Sequence, residues 1–389
     1  MKRVVIRAPL LSYSGYGTHS RQVFRWLLSK KDLEIRTQVV PWGITPWMIN
    51  PDYENGLVGE IMNCSSPPTS PVQKSDLSIQ IQLPNEWDSS LATQNIGISA
   101  FVETDRCNPQ WIECCNKMSK VIVPSPFIAS VIKNSGSPLT PIDVVPESFY
   151  DDIAKELLPP SKLDFSTDFN FLVFGQFTGN NPENDRKNLF NTIRILCQTF
   201  ADDPDVGIVI KTNNGKNTTI DRSITENVVR KVINEIRPGP YPKVHIIHGA
   251  MFSDEIASLY RHPKIKALVS LTRGEGFGLP ILEAATSGLP IIATDWSAHV
   301  DFLKKGKYIP VSYDLVNVPT SRIDGQIFME GACWAEVSYE NAQQRFIKFR
   351  KSPHVPQRWA KELRKKLLKS YSQESINNAY DKALGDYLT

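Results

Sequence analysis

The sequence has little of what marks a secreted, membrane-spanning or metal-clamped protein. Its 389 residues include six cysteines, Cys64, Cys107, Cys114, Cys115, Cys197 and Cys333. None forms a Cys-x-x-Cys pair and no Cys/His cluster has zinc spacing, so they read as free thiols of a reducing compartment. No run reaches the roughly 18 apolar residues of a membrane span. The apolar stretch after Met1-Lys2-Arg3 is too short for a signal-peptide core. The expectation is a cytoplasmic protein with no transmembrane segment. Charge of one sign is also scarce: 44 Lys and Arg stand against 41 Asp and Glu, a formal net charge of +3. That is too mild to imply nucleic-acid binding by itself. Internal repeats and low-complexity segments are missing too.

What is present is the composition of a soluble globular protein, 41% hydrophobic and 22% charged, in a chain long enough for two α/β domains. Apolar runs that read as strands alternate with helical spacing, which argues for parallel sheets with helices on both faces. In the first half, strands are expected at residues 4–8, 35–39, 77–83, 96–102, 121–125 and 142–146. Helices are expected from Thr18, as N-cap, and over 111–117. Residues 42–63 read as irregular and 66–71 as a Pro/Ser loop. Residues 157–167, with Pro159-Pro160-Ser161, read as the linker. The second half repeats the alternation: strands at 171–175, 206–212, 244–247, 267–271 and 290–294, with helices at 189–200, 224–236, 254–260 and 279–287. The tail at 359–388 reads as helical. The fold class is therefore α/β, two doubly wound domains in tandem, with ligands expected at the carboxyl ends of the strands.

The most informative segment is Arg273-Gly274-Glu275-Gly276-Phe277-Gly278-Leu279-Pro280-Ile281-Leu282-Glu283-Ala284. A strand ends, a glycine-rich loop follows, and Pro280 sits where a helix begins. Gly276 and Gly278 let backbone N–H groups approach a ligand, and the positive end of the helix dipole faces the same spot. This suits a diphosphate. Glu283, in the first turns of that helix, can accept two hydrogen bonds from a ribose diol. Glu275, before the helix, is placed to project toward a sugar.

Glu275 to Glu283 resembles the Glu-x7-Glu motif of the family 4 retaining glycosyltransferases, and Gly276-Phe277-Gly278-Leu279-Pro280 is similar to its usual filling. The resemblance extends over Leu259-Tyr260, Gly288-Leu289-Pro290-Ile291-Ile292-Ala293-Thr294, Asp301-Phe302-Leu303 and Trp334-Ala335-Glu336. It implies the GT-B fold: Rossmann-like domains at residues 1–160 and 165–365 facing across a cleft, with a terminal helix, 366–389, packing back on the first. It also implies a nucleotide-diphosphate sugar as donor, retention of configuration and no metal or other cofactor. In it Glu275 touches the donor sugar, Glu283 the ribose, and Gly276, Phe277, Gly278 and Leu279 line the donor.

Other segments divide between this chemistry and blander roles. Arg186-Lys187-Asn188 resembles the family's basic segment, and a Lys/Arg pair can stabilise a leaving diphosphate as a metal would elsewhere; alone, it would read as a solvated turn. Gly175 closes a strand, and the Arg that often follows it in the family is Gln176 here, which leaves more of the phosphate charge to Arg186 and Lys187. Gly15-Tyr16-Gly17 is either a plain βα turn or, by resemblance, a border of the donor phosphates, with Gly17 the better placed. Ser14 to His19 resembles members of this family encoded by large tailed phages. Many relatives carry a histidine near residue 103; here Glu103 and Thr104 stand there, either as donor-sugar contacts or as polar surface. Asp203-Pro204-Asp205 has the Asp-x-Asp form of a metal motif but reads as a turn before a strand, so no metal site is expected. Lys361, Arg364, Lys365, Lys366 and Lys369 read as a solvated helix face or a peripheral membrane contact.

The function these residues support is a retaining glycosyltransferase, moving a hexosyl or pentosyl group to the hydroxyl of a saccharide or lipid-linked saccharide. The alternatives are transfer to a hydroxylated DNA base and a non-catalytic sugar-nucleotide-binding protein.

Overall fold

The apolar runs at 4–6, 77–81, 121–123, 171–173, 206–210 and 291–294 are buried, as strands of a parallel sheet flanked by helices must be, whereas the edge runs at 35–39 and 244–247 are largely half-buried. The computed structural model describes residues 1–65, 74–158, 162–179, 181–237 and 239–389. The Pro/Ser loop at 66–71 and the Pro159-Pro160-Ser161 centre of the linker lie outside the described residues.

The chain opens with β1 (Lys2–Ala8), α1 (Gly15–Leu28), β2 (Leu33–Val39), α2 (Leu57–Asn63) and β3 (Ser75–Ile81). β4 (Ala92–Ile98), α3 (Gln110–Asn116), β5 (Lys120–Val123), α4 (Pro126–Ser135) and β6 (Ile142–Val144) follow. Among the described residues these strands form a six-stranded parallel sheet in the order β2-β1-β3-β4-β5-β6.

The second series is α5 (Asp151–Ala154), β7 (Phe169–Phe174), α6 (Leu189–Thr199), β8 (Val206–Thr212), α7 (Thr219–Ile236) and β9 (Lys243–His248). It continues with α8 (Ser253–Tyr260), β10 (Ile265–Ser270), α9 (Leu279–Thr286), β11 (Ile291–Thr294), α10 (His299–Leu303) and β12 (Ile309–Val311). Among the described residues its six strands are again parallel, in the order β12-β11-β10-β7-β8-β9. An antiparallel ladder of β13 (Tyr313–Asn317) and β14 (Cys333–Val337) precedes α11 (Tyr339–Lys351), α12 (His354–Ser370) and α13 (Gln373–Leu388).

Two compact units result. One is Met1–Ser148 with Gly325–Met329 and Gln373–Thr389, the other Phe149–Asp324 with Glu330–Ser372. The first ends at 148 rather than 160 because Phe149 and Ile153 are buried in the second unit's core, with Leu259 and Tyr260. The returning helix starts at Gln373 rather than 366, because α12 runs to Ser370 and buries Leu363 and Leu367 beside α9 residues Leu282 and Ala285. α13 packs into the first unit through Ile376, Tyr380 and Leu384. The Tyr380 hydroxyl lies 2.9 Å from Nε2 of His19, and Trp26 donates its indole N–H to Asp381 at 2.8 Å.

Some local expectations are corrected. α1 begins at Gly15, not Thr18, because the Ser14 hydroxyl accepts from the Gly17 N–H at 3.0 Å and caps the helix three residues earlier. The strand expected at 96–102 is β4, ending at Ile98. α4, capped by Ser125 with Pro126 in its first turn, follows β5 where the sequence reading named no helix. α2 interrupts the irregular 42–63 segment. In α12, Arg364 donates to the Thr286 carbonyl at the C-terminal end of α9, and Lys366 donates to the Lys305 carbonyl. These two charges are thus turned onto the chain's own backbone, where helix ends leave carbonyls short of partners. Among the described residues no helix is long and apolar enough to cross a membrane.

Candidate functional site

The residues singled out at 273–283 sit at the carboxyl end of the second sheet, where β10 gives way to a loop and then α9. Gly278 is the N-cap of α9 with φ +98°, a left-handed conformation that glycine adopts at no steric cost. A Cβ there would also come within 3.2 Å of the His299 Cβ. Pro280 occupies the first turn. Phe277 points into the core, against Phe302 and Tyr371. It anchors the loop by its ring, so a contact from Phe277 to a ligand must come from its backbone.

Glu275 is 6% exposed and carries the densest ion pairing of the region. Lys187 Nζ donates to both carboxylate oxygens at 2.7 Å, and Arg186 approaches to 3.9 Å while donating to the Gly274 carbonyl at 2.8 Å. Burial alone would raise the Glu275 pKa; the Lys187 and Arg186 charges outweigh it and hold the carboxyl below its ordinary value. The basic pair is itself built in by its neighbours. The Asp185 carboxylate accepts from the Leu189 N–H at 2.6 Å, capping α6, and from the Thr178 backbone at 3.0 Å. Asn188 turns the chain at φ +56° and donates to the Leu271 carbonyl. Gly175, at the end of β7, lies against the aliphatic part of Lys187. Gln176 donates to the Asn213 side chain at 2.8 Å.

Glu283 lies in the second turn of α9, 4% exposed, and accepts from the Tyr260 phenol at 3.3 Å. Burial pushes its pKa up to about 8, so near neutral pH much of it holds a proton. A diol donating to this group would supply what burial has removed and draw it back to the charged form.

The remaining sequence candidates are placed plainly. Asp203 and Asp205 are both paired with Arg350, at 3.0 and 3.5 Å, and the Asp205 N–H closes a turn on Asp203. In the first unit, Gly17 is packed so closely that a Cβ would sit 2.1 Å from the Ser12 carbonyl oxygen, whereas Gly15 faces open space. Thr104 is fully buried and donates to the Arg106 carbonyl; Glu103 beside it is half-buried. The six cysteines are free thiols; in α3 Cys114 is half-buried and Cys115 buried.

Several residues to which the sequence assigned no role complete the region. Tyr260 supports Glu283. Arg273 donates to Glu336 at 2.6 Å and to the Pro182 and Asp185 carbonyls, tying the glycine loop to β14 and to the segment before Arg186. Ser297 and His299 lie behind Glu275. The Leu259-Tyr260 and Trp334-Ala335-Glu336 resemblances were the available signal for Tyr260 and Glu336; a lone buried histidine and serine carry none.

Residues 233–317 match the family model described as Glycosyl transferases group 1, a segment that contains Glu275 and Glu283. Comparison of the sequence with curated proteins gives no match. Solved structures share the fold. A glycosyltransferase from Rickettsia africae superposes with TM-score 0.66 at 14% identity, covering 100% of this chain and 99% of its own. HepE of Anabaena, solved with UDP and glucose, gives 0.62 at 12% identity over 99% and 100%. TarM of S. aureus, solved as a variant with Fondaparinux, alpha-GlcNAc-glycerol and UDP, gives 0.53 at 16% identity. This chain matches TarM over 80% of its own length and spans only 55% of TarM's. The second unit thus carries a glycosyl transferases group 1 segment, and the chain has the two-unit α/β architecture of GT-B glycosyltransferases.

Proposed function

We propose that this protein is a family 4 retaining glycosyltransferase that moves a hexosyl or pentosyl group from a nucleotide-diphosphate sugar to a hydroxyl acceptor, without a catalytic metal. The observation that carries the reading is the convergence of Lys187, Arg186 and Glu275 beside the N-terminus of α9, with Glu283 eight residues further on. In this reading Glu283 accepts from the ribose hydroxyls, and backbone N–H groups of 276–279 meet the diphosphate. Gly175, which follows β7 beside Lys187, and Gly15, Gly17, Glu103 and Thr104 are proposed as further donor-binding residues.

The chemistry asks most of the phosphate end. The bond from the anomeric carbon to the diphosphate oxygen breaks, a bond from the acceptor oxygen forms on the same face, and the acceptor's proton passes to the leaving phosphate. Negative charge grows on that phosphate as the bond stretches, so preorganised cations there lower the barrier. Lys187 and Arg186 are held in place before any ligand arrives by the carboxylate of Glu275. Glu275 in turn is kept ionised, able to accept from a sugar hydroxyl.

The acceptor proposed is a saccharide or lipid-linked saccharide, in line with the UDP, glucose and GlcNAc-glycerol held by the neighbours above. Those neighbours lend no support to a hydroxylated DNA base. The proposed location is the cytoplasm, where free thiols persist.

The test is a thermal-shift screen against a panel of nucleotide sugars, followed by donor hydrolysis with those that bind. A ligand at 100 times its Kd stabilises by about 2.7 kcal/mol. Binding without hydrolysis or transfer would leave a sugar-nucleotide-binding protein. No shift with any nucleotide or nucleotide sugar would end the proposal.

A further inference from the structure

Behind Glu275 runs a chain of hydrogen bonds for which the reaction described above has no use. The Glu275 N–H donates to the Ser297 hydroxyl at 2.9 Å, and its carbonyl accepts from the Ala298 N–H at 3.3 Å, so its backbone is gripped at both ends. Ser297 Oγ lies 3.4 Å from His299 Nδ1, and His299 Nε2 lies 2.7 Å from the Thr294 carbonyl oxygen. Ser297 is 6% exposed and His299 fully buried.

The directions of these bonds follow from the groups themselves. A carbonyl only accepts, so His299 carries its hydrogen on Nε2. Burial favours the neutral ring, which leaves Nδ1 as an acceptor. The Ser297 hydroxyl therefore donates to Nδ1 and keeps its lone pairs for the Glu275 N–H. Ser297 holds this position at φ +79°, a left-handed conformation that serine rarely adopts. Glycine would fit that backbone better but would supply no hydroxyl. The strain is therefore carried by a residue whose side chain is used.

We propose that Ser297 and His299 are positioning residues, a relay anchored on the Thr294 carbonyl that fixes the Glu275 backbone and thereby the carboxylate that faces the donor sugar. The assignment rests on the reading of Glu275 given above. His299 is also wedged behind Gly278, close to where a Cβ on that glycine would lie. The same ring thus sets both the start of α9 and the loop that carries Glu275.

Ser297→Gly is the discriminating variant, because it deletes the hydroxyl while relieving the left-handed backbone, so that thermal stability is retained. The probes are UDP for binding and, for turnover, whichever UDP-sugar the unaltered chain hydrolyses. Ser297→Gly and His299→Leu are expected to lower kcat roughly tenfold or more, as displaced reacting groups do. UDP affinity, set by Glu283 and the phosphate contacts, should stay within about twofold. His299→Asn, which keeps an acceptor near the Nδ1 position, should recover part of the loss. If the unaltered chain turns over and both variants keep its kcat, the relay has no positioning role and the proposed function stands. UDP affinity falling in step with kcat, or no recovery in His299→Asn, would also overturn the assignment in favour of a structural role. An unaltered chain that binds no nucleotide and hydrolyses no nucleotide sugar of the panel defeats the functional reading itself, and this assignment with it.

Discussion

Replacing Lys187 with alanine should change not only how stable the second unit is but how its stability depends on pH. Lys187 neutralises a carboxylate whose side chain is 8% exposed, from 2.7 Å. Removing one partner of a buried pair costs about 3–5 kcal/mol, because the other charge stays behind without compensation. Two features reduce that figure here. Lys187 is itself 22% exposed, and Arg186 remains 3.9 Å from the same carboxylate. The expected loss is about 2–3 kcal/mol, and each kcal/mol lowers the Tm of a domain this size by roughly 2–4 °C. The sign follows from Glu275. In the unaltered chain its pKa is depressed, so it contributes stability above its unfolded value that is lost as pH falls through the folded one. Without Lys187, burial dominates and raises the pKa, so the penalty develops as pH climbs through and above the usual carboxylate range. Urea unfolding should therefore show a larger difference between Lys187→Ala and the unaltered chain at pH 8 than at pH 5. In a Glu275→Gln background the substitution should cost much less. Equal losses at both pH values and in both backgrounds would refute the reasoning, since they would mean that Lys187 stabilises by packing rather than by charge.

Glu283 has the opposite sign: its raised pKa means stability is lost as pH rises from the unfolded carboxylate value through about 8. Glu283→Gln should flatten that dependence in unfolding titrations. If Glu283 meets ribose hydroxyls, UDP binding near pH 7 should release a proton, seen in calorimetry with buffers of different ionisation heat and lost in Glu283→Gln. Glu283→Ala should weaken UDP by roughly 1–3 kcal/mol, the cost of hydroxyls left unpaired in a buried place; unchanged affinity would remove Glu283 from the donor site. Turnover is expected to survive EDTA; abolition by EDTA with recovery on adding manganese would return Asp203 and Asp205 to consideration despite Arg350. Leu384→Ala, in the fully buried face of α13, should cost about 2–5 kcal/mol, whereas a near-neutral result in unfolding measurements would mean that α13 does not complete the first unit's core.

Sequence alone determined the fold class, because it is written in local patterns. The run Phe171-Leu172-Val173 and the helical spacing of 279–287 depend only on which residues are apolar and how often they recur. The glycine loop was equally legible, since Gly276 and Gly278 just before a helix that opens at Pro280 mark a turn where backbone can approach a ligand. Lys187 and Glu275 could each be chosen by type and resemblance. Their pairing could not: 88 residues separate them, and only the adjacency of β7 and β10 in the sheet brings their loops together. The same holds for Tyr260 on Glu283, for Arg273 on Glu336, and for Ser297 and His299 behind Glu275. A buried histidine looks in sequence like any other, because what distinguishes it is which carbonyl it faces. Domain limits were also decided by packing. Phe149 and Leu367 belong to the second unit because its core has room for them, and no local pattern of charge or proline records where a side chain several strands away leaves a gap.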